Sequence, residues 1–219
     1  MDLPTATLPC ARSTEIRPWS APPNARSTAP PTAHPAASAA TPPTDYRQAL
    51  RPTPAGWPRR DHWCLWVEPI SDTEPTGIWQ QRWHGAVLAA VATWQRQLPI
   101  TLVSDPTRAQ VLVQRRRPPL RNQRASHGRA QLQLLEVKRD GPWQLEPRVE
   151  VLISPGQGPR AIQATALHEL GHAFGLWGHS DQPGDAMASQ PGAEPVLELS
   201  PRDRATLQWV QQQPGLGKP

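Results

Sequence analysis

Two histidines and a glutamate in the C-terminal half have the spacing of a metal site. His168 and His172 are four residues apart in the run His-Glu-Leu-Gly-His. Residues at that spacing lie one turn apart on the same face of a helix, so their imidazoles could converge on one ion at about 2.0–2.1 Å. Glu169 flanks this face, where a carboxylate can reach a metal-bound water and act as a general base.

A third histidine follows a glycine that can reverse the chain. We expect the helix to end at Gly175, because glycine adopts positive φ at little cost. The returning chain could then bring His179 to the same ion. Three imidazoles leave one tetrahedral position free for water, as in catalytic zinc sites. The pattern therefore predicts one zinc ion held by His168, His172 and His179.

Other side chains compete for the third ligand position. Asp181 follows His179 closely, and Glu194 and Glu198 are more distant carboxylates. The remaining histidines considered stand alone, without acids or histidines clustered around them, and we expect them to have structural roles: His62, His84 and His127.

The elements that must position these residues lie upstream and downstream of them. A helix from Gly77 to Leu98 is predicted by apolar residues at intervals of three and four, and Pro99 stops it. A second helix from about Arg160 to Phe174 carries the metal residues, and a last one begins at Ser200 with Asp203 in a capping box. Aromatic and branched runs predict five strands, at 63–67, 100–103, 109–114, 132–137 and 149–153. This order is typical of an α+β fold with a mixed sheet.

The N-terminal quarter differs in composition. Of 219 residues 29 are proline, and many precede residue 60. Residues 1–58 show no hydrophobic period and cannot bury enough apolar surface to offset the entropy of ordering them. We expect a disordered arm at 1–58, one folded domain at 59–213 and a short tail at 214–219.

The two cysteines fall in the arm and in the first predicted strand. Two cysteines do not make a disulfide framework, and we expect Cys64 to be a free buried thiol. A thiol in the arm, such as Cys10, could also cap the metal.

The segment after residue 167 resembles the metzincin zinc peptidases and is most similar to their matrixin branch. That family has the signature His-Glu-x-x-His-x-x-Gly-x-x-His, followed by a methionine in a tight turn beneath the metal. The chain matches at His168, Glu169, His172 and Gly175, and Met187 is the candidate turn methionine. The resemblance spans about residues 62–213.

One departure from the signature concerns the third histidine, which comes one residue late. Gly178 could absorb this extra residue in a looser turn. The family's tyrosine after the turn methionine is also missing, since the single tyrosine, Tyr46, lies in the arm.

The resemblance implies a fold and an activity. The fold would be a mixed, mostly parallel, five-stranded twisted sheet with a long helix and the metal-binding helix, plus a small C-terminal subdomain with one helix. The activity would be that of a zinc-dependent metalloendopeptidase with one catalytic zinc, with Glu169 as general base and a peptide or protein as substrate. Substrate would pair with an edge strand, for which residues 132–135 are the candidate, beside a pocket walled by residues 187–199.

Charge and hydropathy argue against a nucleic-acid partner and a membrane span. The formal charge is +5, but the arginines lack interleaved aromatic residues, so we expect no nucleic-acid partner. The sequence has no run of 18 apolar residues, so we expect no membrane span.

Secretion or a periplasmic location is implied by the family, although no recognisable signal peptide is present. We expect a monomer. A catalytically silent zinc-binding module and a basic scaffold protein remain alternatives.

Overall fold

The computed structural model describes residues 10–21, 44–71, 77–120, 126–139 and 141–218. Within these ranges the chain has an α+β fold, with one six-stranded mixed sheet and three α-helices. No helix among them is both long enough and apolar enough to cross a bilayer. Strands β1–β6 span Glu15–Pro18, Trp63–Val67, Ile100–Leu102, Val111–Gln114, Gly128–Lys138 and Gln144–Ile153, and helices α1–α3 span Gly77–Gln95, Pro159–Ala173 and Pro201–Gln211.

The strands are ordered β1-β5-β6-β4-β2-β3 across the sheet. Strands β3, β2, β4 and β6 run parallel to one another, whereas β5 is antiparallel to β6 and β1 is antiparallel to β5. The predicted α+β class and the five predicted strands are confirmed. The sheet has a sixth strand, β1, which was not predicted, so the expectation of a five-stranded sheet is wrong.

The core lies between the sheet and the two helices α1 and α2. Alternate residues of β4 and β6 point to one face, where they are fully buried against α1 and α2. Two of the tryptophans that fill this layer also satisfy their polar atoms: Trp83 Nε1 donates to the Ile153 carbonyl at 3.2 Å, and Trp94 Nε1 donates to the Leu167 carbonyl at 3.0 Å. Trp79, in the first turn of α1, is 60% exposed.

The N-terminal segment contradicts the expectation of a disordered arm wherever the structure describes it. Residues 15–18 form β1, and Tyr46 and Leu50 belong to the core. The parts of the predicted arm at 1–9 and 22–43 lie outside the described residues. The predicted tail also packs, since the Gly217 N–H donates to the Ala55 carbonyl at 2.8 Å. The compositional argument was wrong here because a few apolar side chains suffice when a preformed sheet supplies the partner surface.

Both cysteines are joined in one disulfide. Cys10 and Cys64 are linked across 54 residues of sequence, and both are buried. The prediction of a free Cys64 thiol is therefore wrong, and Cys10 has no free thiol with which to cap a metal. The bond ties the start of the described chain to β2, near the end of the sheet opposite β1, and so anchors the segment that leads into β1.

Candidate metal centre

Helix α2 and the turn after it place the first two histidines. Pro159 occupies the first turn of α2, where its missing N–H costs nothing. The helix ends at Ala173, and Gly175 follows with φ of 109°. The Gly175 N–H donates to the His172 carbonyl and the Leu176 N–H to the Gly171 carbonyl, which is the Schellman arrangement. Gly175 therefore lies at the end of α2 with the positive φ that this turn requires.

Both helical imidazoles are oriented by backbone carbonyls. His168 Nδ1 donates to the Ala186 carbonyl and His172 Nδ1 donates to the Leu176 carbonyl, each at 2.8 Å. With Nδ1 carrying the proton, Nε2 of each ring keeps its lone pair. Metal-binding histidines are typically held by a hydrogen bond of this kind, which fixes the tautomer and the ring orientation.

The turn after α2 returns the third imidazole to the other two. The ring centroid of His179 lies 5.3 Å from that of His168 and 4.9 Å from that of His172. One potential ligand atom from each ring lies within 4.8 Å of the others. The next residue is fixed by backbone hydrogen bonds: the Ser180 N–H donates to the Met187 carbonyl at 2.8 Å, and its carbonyl accepts from the Ser189 N–H at 2.9 Å.

The extra residue before His179 is accommodated by the N-terminal segment. A Cβ at Gly178 would lie 2.3 Å from the Ala49 carbonyl oxygen, so only glycine allows these two backbones to approach so closely. Next to this contact, the Arg51 N–H donates to the Trp177 carbonyl at 3.0 Å. The segment around residue 50 therefore supports the loop that carries His179.

A buried carboxylate holds the methionine turn in place. Asp203 is fully buried at the start of α3, where it accepts from the Ser200 N–H at 2.9 Å in the predicted capping box. It also accepts from the Ala186 N–H at 2.8 Å and from the Tyr46 hydroxyl at 2.7 Å. Because the Ala186 carbonyl in turn orients His168, Asp203 links α3 and the N-terminal segment to the metal residues.

Met187 lies beneath α2, as expected for a turn methionine. It is fully buried, and a Cβ at Gly171 would lie 2.2 Å from its sulfur atom. Gly171 therefore makes room on the helix for the thioether directly between the two histidine positions. Trp94 closes the same space, at 3.2 Å from that hypothetical Cβ.

The side chain of Glu169 is half-buried against the edge of β5. Burial raises the pKa of Glu169 to about 7, although the Ala130 N–H donates to its carboxylate and Arg129 stabilises the negative charge. Gly128 permits this approach, because a Cβ there would lie 2.6 Å from Glu169 Cγ and 2.7 Å from Oε1. A carboxyl group with a pKa near neutrality can both accept and return a proton at neutral pH.

The imidazoles are held in the neutral form. Burial, together with the neighbouring imidazole of His168, lowers the pKa of His172 to about 3. Burial also lowers the pKa of His168 and of His179. Neutral imidazoles are the form that binds metal ions, so the three rings are ready to act as ligands at neutral pH.

His168 and Glu169 border a cavity of about 480 Å³. His168 and Glu169 form its floor, Ser126 to Gly128 form one wall, and residues 188–196 contribute the opposite wall. The wall predicted from the segment 187–199 agrees with this arrangement. The cavity gives the site an open face on the side away from the core.

The alternative ligands lie outside the histidine cluster. Among the described residues, the group that could hold a metal consists of His168, His172 and His179. Asp181 is exposed and pairs with Arg202 at 2.8 Å, whereas Glu198 pairs with Arg96.

The histidines expected to have structural roles are likewise outside the cluster. His62 Nε2 bonds to Thr101 Oγ1 at 2.9 Å, and His127 lines the cavity beside Gly128. His84 lies half-buried on α1.

Several residues that shape the site were not anticipated from the sequence. Gly128 and Gly171 create the close approaches at Glu169 and Met187, and Tyr46 supports Asp203 from a segment expected to be disordered. The only signal in the sequence was a glycine at the start of a strand, which can mark a close backbone approach. Its partner could not be identified from the local pattern.

Comparison with known proteins leaves the family open. No protein-family model matches this chain, and no curated protein matches it.

Proposed function

We propose that the protein is a zinc-dependent metalloendopeptidase similar to the metzincins, with His168, His172 and His179 as zinc ligands and Glu169 as general base. The observation that carries the proposal is a half-buried carboxylate next to three clustered imidazoles, with Glu169 and His168 lining an open cavity. The donor set fits zinc, because three nitrogen ligands with one open position are typical of its catalytic sites.

The hydrogen bonds of the two helical histidines support this donor set. Their Nδ1 atoms are engaged by the Ala186 and Leu176 carbonyls, so that Nε2 is the free nitrogen on both rings. A zinc ion bound there would supply Lewis acidity, which activates water for attack on a carbonyl. The exposed ring of His179 would complete the set from the solvent side.

Glu169 is placed to move the protons of the reaction. Its carboxylate would accept a proton from the attacking water and deliver it to the nitrogen of the leaving amine. The Ala130 N–H and Gly128 hold the carboxylate at the edge of β5, where it faces the cavity. A substrate carbonyl lying along that edge would be within reach of the same group.

The sheet edge supports an extended peptide as substrate. Residues 128–133 of β5 lie beside Glu169, and no described strand pairs with them on the side away from β6. Main-chain pairing to such an edge binds peptides with little sequence preference. The cavity at the Gly128 end would then receive one substrate side chain.

The test is substitution of Glu169 by glutamine with zinc content measured in parallel. Glu169→Gln keeps the size of the side chain but cannot accept the proton, so kcat on casein or a quenched fluorescent peptide should fall about 10²–10⁴-fold while zinc stays near stoichiometric. Glu194→Gln, at an exposed carboxylate that lines the same cavity, is the matched control and should keep activity. Full activity of Glu169→Gln would reject the proposed role.

The ligand assignment has its own test. His179→Ala should lose tight zinc binding, because two imidazoles remain, whereas Asp181→Ala should keep it. Stoichiometric zinc in His179→Ala after dialysis against a weak chelator would move the third ligand elsewhere.

A further inference from the structure

The N-terminal strand covers only part of the outer edge of β5. Strand β1 pairs with residues 135–138 of β5, and the Trp19 N–H makes the last contact by donating to the Leu134 carbonyl at 3.0 Å. Strand β6 pairs with β5 along almost its whole length on the other side. In the described part of the chain, the outer edge from Gly128 to Gln133 has no partner strand.

The proposed reaction centre lies on this same edge. The Lys138 and Leu134 carbonyls accept from β1, and backbone groups alternate in direction along an antiparallel strand. The backbone N–H and carbonyl groups of Leu132 and Ala130 therefore point to the same outer side of β5 as those of Leu134. On that side the Ala130 N–H donates to the Glu169 carboxylate. A peptide added to the edge would thus meet Glu169 near Ala130 and the end of β1 at Leu134.

Strand β1 is fixed to the rest of the molecule. The disulfide from Cys10 to Cys64 anchors its leading segment, and Arg139 Nε donates to the Ala11 carbonyl at 3.1 Å. Lys138 Nζ pairs with Glu15 at 3.0 Å. The disulfide, the Arg139 hydrogen bond and the Lys138–Glu15 ion pair together hold β1 at the edge of β5.

We propose that β1 is a stop that limits how much of an extended substrate can pair with β5. This inference rests on the proposed peptidase function. Between Glu169 and the stop there are the four strand positions from Ala130 to Gln133, about 13 Å at 3.3 Å per residue. Substrate residues beyond about the fourth from the cut must leave the sheet at Trp19 and contribute nothing to pairing.

The stop lies on the N-terminal side of the cut. Strand β1 is antiparallel to β5, and antiparallel pairing is slightly the more stable of the two arrangements. A substrate in that direction places its N-terminal residues towards Leu134 and its C-terminal residues towards Gly128. The chemical class of substrate is then an extended peptide recognised over few residues before the cut.

The test is a length series of quenched fluorescent peptides that share one cleaved core. Residues are added one at a time on the N-terminal side of the cut, and kcat/KM is measured with the zinc-loaded full chain. Each added main-chain pair should raise kcat/KM about 2- to 10-fold until about four residues, and further residues should change it less than about twofold. A second series extended on the C-terminal side shows which side of the cut meets the stop.

Two proline variants distinguish the effect of the stop on substrate length from the general effect of a substitution next to β1. Trp19→Pro removes the last N–H that β1 donates to β5 and should extend the length dependence by about two residues. Thr14→Pro removes the N–H that donates to the Lys138 carbonyl at 2.8 Å at the far end of β1, and should leave the profile unchanged. Thermal unfolding of all three proteins identifies any variant that fails to fold.

The outcomes are distinguishable. The inference is overturned if kcat/KM of the wild type keeps rising beyond about six residues on the N-terminal side of the cut. It is also overturned if a folded Trp19→Pro variant shows the same dependence of kcat/KM on peptide length as the wild type. Saturation on the C-terminal side alone also overturns it. If the zinc-loaded wild type cleaves none of the peptides and no casein, the proposed function fails, and the inference fails with it.

Discussion

Substitution of Gly128 by alanine should displace Glu169, the proposed general base, without touching a proposed metal ligand. The new Cβ would lie 2.6 Å from Glu169 Cγ and 2.5 Å from Thr165 Cγ2, whereas ordinary contacts are 3.4–4 Å. Glu169 must therefore retreat by roughly 0.8 Å, and misplacement of a reacting group by about 1 Å can cost about 10²-fold in rate. The crowding should also lower the free energy of unfolding by about 1–3 kcal/mol.

The assay combines kcat/KM, zinc content and urea unfolding. In Gly128→Ala we expect zinc near stoichiometric and kcat reduced about 100-fold. Adding Thr165→Ser removes one of the two clashing groups, so the double variant should regain stability but not activity. Gly85→Ala is the control, because nothing lies within 4 Å of a Cβ at that exposed helical position.

Two results would refute this reasoning. Wild-type kcat in a folded Gly128→Ala variant would show that the position of Glu169 does not matter or that β5 moves to accommodate the methyl group. Loss of zinc together with activity would show that the substitution disrupts the histidine cluster rather than the carboxylate.

Further expectations concern the metal ligands and the N-terminal segment. Burial lowers the pKa of His172 to about 3. Protons compete with zinc for an imidazole only as the pH approaches the pKa of that imidazole, so a lowered pKa moves the loss of zinc affinity to lower pH. Zinc affinity from competition with a chelator should therefore fall less between pH 7 and pH 6 than the roughly 30-fold expected of three imidazoles with pKa about 6.5. Tyr46→Phe removes a buried donor to Asp203 and should cost about 1–3 kcal/mol in urea unfolding; a cost near zero would contradict that contact. Replacing Cys10 and Cys64 by alanine should cost up to about 4 kcal/mol for a loop of 54 residues, and equal unfolding midpoints with and without the bond would contradict this.

The histidine spacing could be interpreted from the sequence because it depends on one helix and its turn. Four residues place His168 and His172 on one face, and Gly175 allows the reversal that follows. Both consequences are local, since they follow from helix geometry and from the conformational freedom of one residue. The α+β class, five strands and the capping box of α3 were predicted on the same kind of local evidence.

The N-terminal segment shows where local evidence ends. Composition alone predicted disorder at 1–58, yet β1 adds to the sheet and Tyr46 is 5% exposed. A segment with little hydrophobic pattern of its own can be ordered by partners far away in the chain. Here the partners are Cys64, the edge of β5 and Asp203, and nothing in the spacing of the arm indicates any of them.

The sequence by itself determined that His168 and His172 share one face of α2 and that Gly175 turns the chain after it. Only the tertiary structure decided that Gly128 of β5 lies against Glu169, and that Tyr46 meets Asp203 across 157 residues. The physical reason is that periodicity and turn propensity act over a few residues, whereas these contacts arise when the sheet and helices pack. Their partners are set by the register of β5 and the closure of the core, which no local pattern encodes.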